Sequence, residues 1–557
     1  MRTFRLSDPD LAALGAGRPS PATLALLRRA QLSRHLLLLR QLRLEAGKNP
    51  LWYDEVRALP PADSRTLIAD PMTGLWAARA LATRRGEPAP APATVPATVP
   101  GAATVPGAAT VPGAATVPAE LPEPAGQVLA VTHAGRTLTV RLDDRGPLRH
   151  LLGLAPAEPI SPAEVAHWRD LLTEAWRILI TRHPTAAELV GGVLRVIVPA
   201  RPDPRAEGVS ATSAEAFGAI AMSAPVTATG LAVALLHETQ HSVLNAVHGL
   251  FDLVRPGGEL GYSPWREDPR PALGILHGVY AFLAVTRFWR AELHNQHAEH
   301  AEHAQHAADA EHAEHTQHAG HTEQPGHAGH AGHAGQPGHA GHAEEPGHAG
   351  PRRPRSEAEF EFARWRAAVQ ETAGELLGGG ALTPAGARLA GALRAEVRSW
   401  LDEPVDTEVA RLAELARDDH RARWRLRNLT IAPEDVAALA EAWDRGRAAP
   451  PVRSAVAARE RVVEPSPRLR MIRARLRGDA VHGDEPGDVA AVRGDSGTAL
   501  MSYQISLGKD RDREAAWSGL ALVSPHPALR RRPELVRAAA VAVPEADVAA
   551  LAAWLSR

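Results

Sequence analysis

The chain has 0 cysteines in 557 residues. That absence excludes a disulfide framework, a thiolate zinc site and a cysteine-ligated iron–sulfur cluster. Any metal must be held by His, Asp, Glu or solvent. Lysine occurs only at Lys48 and Lys509, and aromatic residues make up 4% of the chain. A formal net charge of -2 gives no electrostatic reason to expect nucleic acid or an anionic membrane as partner. The first residues, Met-Arg-Thr-Phe-Arg-Leu-Ser-Asp-Pro-Asp, lack the apolar core of a secretory signal, so the expected location is cytoplasmic. One uncharged run, from Ala216 to Leu236, is long enough to span a bilayer. Ser223, Pro225, Thr227, Thr229 and Gly230 interrupt it, so it reads as a strand (Phe217 to Met222), a turn at Ser223-Ala-Pro225, and the start of a helix.

What the chain does have is His-Glu-Thr-Gln-His, His237 to His241, on that helix. Residues four apart on a helix sit ~40° apart in azimuth and ~6 Å apart along the axis, so both imidazoles can grip one metal ion. Glu238 lies beside the first, as a general base or as a group that orients the ligands. Leu231, Val233 to Leu236, Val243, Leu244 and Val247 surround the motif, so the helix reads as buried. The plainer alternative is two histidines of an ordinary helix, against which stands the cost of burying unpaired polar groups.

A third ligand has to come from elsewhere. The positions where a metzincin carries glycine and histidine are Leu244 and Val247. His248 would sit ~10 Å beyond His241 along the axis, too far to share the ion. Glu259, Glu267 and Glu292 are the downstream glutamates. His277 is the better choice. It stands on a second apolar helix starting after Pro269 and Pro271, among Leu273, Ile275, Leu276, Val279 and Phe282. The alternative for His277 is a hydrogen-bonded core histidine. Gly274 and Gly278 flank it at helical spacing, which predicts close approach of another helix.

Two tracts divide the chain. Prolines in Ala-Thr-Val-Pro units from Pro88 to Pro118 predict an extended linker. His294 to Gly350 is His-rich and lacks apolar residues to offset the entropy of ordering. It reads as a repeat-expanded surface loop rather than a metal store. Elsewhere the pattern predicts helices over 21–46, 162–181 (capped by Ser161), 355–377, 383–401, 405–425 and 433–446. Strands are expected over 127–132 and 137–142, as a hairpin through Ala134-Gly135, and over 193–198. Segments 499–507 and 513–523 resemble one tetratricopeptide-like hairpin, a packing or docking element. The expected fold is α+β and predominantly helical, with a small sheet packed on a helical metal-binding core. The expected division is 1–87 helical, 88–122 linker, 123–293 metal-binding core, 294–352 His-rich insert, 353–450 helical completion of the core, and 451–557 helical with the hairpin.

The segments Phe217-Gly-Ala-Ile-Ala, Leu236-His-Glu-Thr-Gln-His, and Trp265-Arg-Glu-Asp-Pro-Arg-Pro followed by Leu276-His-Gly-Val-Tyr-Ala-Phe carry a resemblance. With Arg34-His-Leu-Leu-Leu-Leu-Arg, Trp424-Arg-Leu-Arg-Asn-Leu and Ala516-Trp-Ser-Gly-Leu-Ala-Leu, the chain resembles actinobacterial HExxH-motif proteins of ribosomal peptide maturation. The resemblance covers most of the chain outside the two tracts, which depart from the family pattern. It implies a peptide β-hydroxylase, a dioxygenase that uses iron(II), 2-oxoglutarate and O2 on a precursor peptide, with a radical-SAM or other maturation enzyme as a further partner. Three protein ligands on octahedral iron leave positions for 2-oxoglutarate and O2. The co-substrate's distal carboxylate needs a cation, and Arg266 and Arg270 lie just upstream of His277. Their alternative is ordinary pairing with Glu267 or Asp268. Tyr280 lines the same pocket or simply packs. The competing readings are a zinc metallopeptidase with Glu238 as base, and a non-catalytic protein whose metal is structural and whose hairpin docks a partner.

Overall fold

The computed structural model describes residues 4–46, 50–87, 117–203, 208–319, 357–457 and 466–557. Five helices open the chain: α1 (Asp8–Gly15), α2 (Pro21–Glu45), α3 (Leu51–Ala58), α4 (Pro61–Ala69) and α5 (Pro71–Arg84). Ser20 caps α2 by accepting from Thr23 N, with Pro21 at the first turn, where its missing N–H costs nothing. Leu24, Leu27, Leu39 and Leu42 form the buried stripe of α2.

The sheet has five strands: β1 (Gln127–His133), β2 (Arg136–Leu142), β3 (Val196–Pro199), β4 (Ser210–Thr212) and β5 (Ala219–Met222), in the order β1-β2-β3-β5-β4. β1 and β2 form the expected hairpin. Its two-residue turn needs positive φ twice, supplied by Ala134 (46°) and Gly135 (74°). β2, β3 and β5 are parallel, and β4 runs antiparallel at the edge. Two helices, α6 (Pro162–Arg182) and α7 (Pro184–Val193), return the chain from β2 to β3. A capping box between Ser161 and Glu164 starts α6. Two expected strands shorten. Val193 ends α7 instead of opening β3, and β5 begins at Ala219 because Gly218 turns the chain (φ 88°) against the Val193 carbonyl.

The sheet is covered on both faces. Ile197, Ile220 and Met222 join the core built by α6 and α8 (Ala228–His248), whereas Val196, Val198, Ala211, Ala219 and Ala221 pack with Leu75 and Trp76 of α5. The uncharged run at 216–236 is thus β5, a turn and half of α8. Next come α9 (Ala272–Ala319), α10 (Glu357–Gly378) and α11 (Pro384–Arg398), with α9 packed against both α8 and α10. One core runs from Leu11 to Trp400. Among the described residues α9 is the one helix long and apolar enough to cross a bilayer, and 72% of its apolar window is buried in the protein.

The His-rich segment departs from expectation at its start, because α9 continues through it to Ala319. Alanine and glutamate are strong helix formers, and propagation from the buried first turns avoids the cost of a new nucleus. His294 pairs with Glu403 at 3.2 Å, and Glu299 pairs with Arg182 at 3.3 Å. The remainder of the tract, 320–350, the residues 351–356 that follow it, and most of the proline-rich linker, 88–116, lie outside the described residues.

The C-terminal part comprises α12 (Thr407–Asn428), α13 (Pro433–Asp444), α14 (Pro467–Arg477), α15 (Pro486–Arg493), α16 (Ser496–Lys509), α17 (Glu514–Val523), α18 (Pro527–Arg531), α19 (Pro533–Ala542) and α20 (Val548–Trp554). A separate antiparallel pair joins β6 (Leu429–Ile431) to β7 (Ser454–Val456). The expected hairpin is α16 and α17, and α12 and α15 pack onto α17. Trp517 at its centre is fully buried and donates its indole N–H to the Arg511 carbonyl at 2.7 Å. The whole is a predominantly helical α+β protein with a small mixed sheet.

Candidate metal centre

Helix α8 starts where Thr227 accepts from Gly230 N at 3.0 Å, and it is buried almost throughout. His237 and His241, one turn apart, bring their Nε2 atoms to 3.0 Å. His277, from the first turns of α9, meets His241 on its other side, Nδ1 to Nδ1 at 3.3 Å. His241 therefore stands between two imidazoles. Burial pushes His237 and His277 down to about 3. It also takes His241 well below its ordinary 6.5, helped by His237, His277, Arg266 and Arg270. All three rings are neutral at physiological pH, the form in which imidazole offers a lone pair to a metal. His237 Nδ1 is buried with no hydrogen-bond partner.

Glu238 projects from α8 toward the edge strand. Ser210 Oγ donates to its Oε1 at 2.8 Å, and Thr212 Oγ1 donates to its Oε2. Burial raises Glu238 to about 7, and the two hydroxyls pull in the opposite direction. One ligand atom each from His237, Glu238 and His241 fits within 4.8 Å of the others. The sequence places Glu238 beside His237 but does not single out Ser210 and Thr212. The signal for them is thin: hydroxyl residues at alternate positions of Val209-Ser-Ala-Thr, a strand too short to stand out by pattern.

An aromatic wall closes one side. Phe282 and His237 meet at right angles with ring centroids 5.2 Å apart, Trp265 stacks on Phe282 at 4.9 Å, and the Trp365 ring centre lies 4.4 Å from that of Phe282. Gly278 admits Trp265, because a Cβ there would fall 1.7 Å from the indole nitrogen; Gly274 faces Arg270. The glycines thus make room for side chains of the 261–270 loop instead of for another helix. That loop is tied at its ends by paired backbone bonds between Gly261 and Arg270, at 2.8 and 2.9 Å.

Arg266 and Arg270 share one carboxylate. Arg266 Nε donates to Asp268 Oδ1 at 3.0 Å, and Arg270 Nη1 donates to Oδ2 at 3.3 Å. The pairing alternative for these arginines is therefore present, yet both still act on His241. Tyr280 is buried, its hydroxyl has no partner, and its charged neighbour is Arg287. His248 accepts from Leu253 N at 3.2 Å and closes the turn after α8. Of the three glutamates considered as ligands, Glu267 pairs with Arg427, Glu292 holds His183 and Arg182, and Glu259 is exposed.

No family model and no curated protein sequence matches the chain.

Proposed function

We propose that the protein is an iron(II)- and 2-oxoglutarate-dependent peptide hydroxylase that oxidises the β-carbon of a residue in a ribosomally made precursor peptide. The observation that carries this reading is His241 between His237 and His277, all neutral and buried, with two arginines acting on the same ring. Part of the donor set fits a metal: the buried Nε2 atoms of His237 and His241 face each other at 3.0 Å, where two uncharged imidazoles can share one ion, whereas His277 meets His241 at its opposite nitrogen, Nδ1. In this reading Nε2 of His237 and Nε2 of His241 would hold iron(II), and His277 would complete the set by turning from the Nδ1 side of His241. Iron(II) with 2-oxoglutarate and O2 supplies an oxidant for an unactivated C–H bond, releasing succinate and CO2 and placing the other oxygen atom on the peptide. The residues of the chain do the remaining work. Arg266 and Arg270 attract and orient the dicarboxylate, with Asp268 fixing their spacing. Phe282, Trp265 and Trp365 keep water from the imidazoles. Ser210 and Thr212 hold Glu238 away from free rotation. A cytoplasmic location and a maturation enzyme as working partner go with this reading.

A second reading, zinc metallopeptidase, is favoured by one observation: a carboxylate oxygen of Glu238 lies within 4.8 Å of donor atoms of both His237 and His241, where a base to a metal-bound water would stand. Glu238→Gln separates the two. Anaerobically prepared protein given iron(II), 2-oxoglutarate and O2 is expected to form succinate, and Glu238→Gln to retain most of that turnover. Peptide-bond cleavage by the zinc form, insensitive to 2-oxoglutarate and lowered ~100- to 10,000-fold in Glu238→Gln, would replace the hydroxylase with the peptidase.

A further inference from the structure

Arg364, on α10, is 8% exposed, and its guanidinium makes no hydrogen bond or ion pair among the described residues. Its close partner is the Trp365 ring, whose centre lies 4.2 Å from the guanidinium carbon. Nε is sealed from solvent, whereas the two Nη groups are not. The acids within electrostatic range are engaged elsewhere. Glu361 accepts from Arg473 at 3.3 Å, and Asp419 is bound by Arg468. Burial accordingly lowers the pKa of Arg364, whereas at Arg468 the paired Asp419 overcomes burial and raises it. A buried cation without a counter-ion is unfavourable, and an anion that reaches it removes that cost.

Arg364 acts electrostatically on two groups from other elements, Tyr262 of the loop beside the imidazoles and His420 of α12. Both keep part of their surface open, yet burial pushes His420 down to about 4 and the Tyr262 hydroxyl up. Surface that is open and still so poorly hydrated belongs to a recess rather than to the outer face of the protein. The Tyr262 hydroxyl lies 2.9 Å from His420 Nδ1. It donates there, because its hydrogen has no other acceptor among the described residues. The neutral imidazole then carries its own hydrogen on Nε2, which is neither bonded nor sealed. Arg421 covers the Tyr262 ring at 4.9 Å and is committed to Glu371 at 3.3 Å. Glu267, which also acts on His420, pairs with Arg427 at 3.6 Å. A guanidinium and an imidazole thus keep open donors in one region between α10, α12 and the loop.

We propose that this recess binds one carboxylate, its oxygens taken by the Nη groups of Arg364 and the Nε2–H of His420, with Trp365 stacked behind the guanidinium. The planar fork of arginine matches a carboxylate. One uncompensated cation balances a monoanion, whereas a phosphate dianion would bring a second buried charge with nothing to meet it. The carboxylate belongs either to a small free acid or to an aspartate or glutamate side chain of a peptide. The site stands independently of the hydroxylase reading, because Arg364 and His420 are neither proposed ligands nor proposed co-substrate groups.

The test uses the full chain, stripped of metal by chelation and then dialysed, so that a carboxylate cannot report on a metal ion. Its urea midpoint should rise with acetate or with N-acetyl-aspartate amide, and by more than with chloride or phosphate at equal ionic strength. If acetate binds more tightly the source is a free acid, and if the capped aspartate does it is a peptide side chain; both results support the site. Arg364→Met keeps the bulk of the stem, removes the charge, and should weaken carboxylate binding at least about tenfold. If Arg364→Met does not fold, Arg364→Gln carries the same measurement. No rise with either carboxylate, an equal rise with chloride or phosphate, or an undiminished rise in a folded Arg364 variant would each overturn the proposal.

Discussion

Replacing Thr212 by valine keeps the shape of the side chain and removes one of the two hydroxyls that hold Glu238. The effect should depend on pH in a direction that the site dictates. Burial raises Glu238 from 4.5 to about 7 in the folded protein. A carboxyl raised in this way favours the fold at low pH, and that contribution is lost as pH rises from about 4.5 through about 7. Near pH 8 the folded protein must carry a buried carboxylate, at a cost of about 3 kcal/mol, which its two hydroxyl donors limit. A hydrogen bond to an ionised group contributes about 1.5–3 kcal/mol, and one to a neutral group about 1 kcal/mol. Thr212→Val should therefore destabilise the metal-free protein by about 1 kcal/mol near pH 5.5, and by about 1 kcal/mol more near pH 8. Urea unfolding of both proteins at the two pH values, with chelator present, measures the difference. The buried histidines titrate too, but they do so in both proteins and cancel. Equal penalties at the two pH values, or a larger one in acid, would refute the claim that this hydroxyl supports the charged form of Glu238.

His237→Ala and His241→Ala should each reduce bound metal from about one ion per chain to near zero by elemental analysis, and His277→Ala should weaken retention at least about tenfold. In metal-free protein His237 and His277 have folded values near 3 against 6.5. The stability tied to their neutral forms is present above 6.5 and is lost as pH falls toward 3, so His277→Phe should flatten the acid limb of a urea-midpoint profile. Gly278→Ala should cost about 1–3 kcal/mol by driving a methyl into Trp265, whereas Gly391→Ala, on α11 with nothing within 4 Å of the added Cβ, should stabilise by about 0.5–1 kcal/mol; equal outcomes in thermal unfolding would undo that contrast.

The sequence carries most of the helices and the β1–β2 hairpin because each has local punctuation. Ser20-Pro21, Ser161-Pro-Ala-Glu164 and Thr383-Pro384 mark starts, and Ala134-Gly135 marks a turn. Three-residue strands such as β4 carry no such marks and exist only through pairing with distant segments. The centre is legible to the same degree and for the same reason. The spacing of His237 and His241 is local, and an isolated apolar setting points to His277. The orientation of α8 is another matter. A half-buried helix announces its faces by alternating apolar and polar residues, but α8 is buried on every side, so the pattern that would orient it is missing. One helix turns His237 and His241 toward α9, Glu238 toward the hydroxyls of β4, and Leu236 with Gln240 toward a cavity against α7. Each polar group on such a helix requires a partner from another element. Glu238 has found two, His241 has found two imidazoles, and Gln240 has none within the protein. Apart from His237, four residues away on the same helix, those partners lie between 26 and 36 residues away in sequence, beyond the reach of any periodicity, and it is the pattern of which polar groups are met and which are not that marks the candidate site.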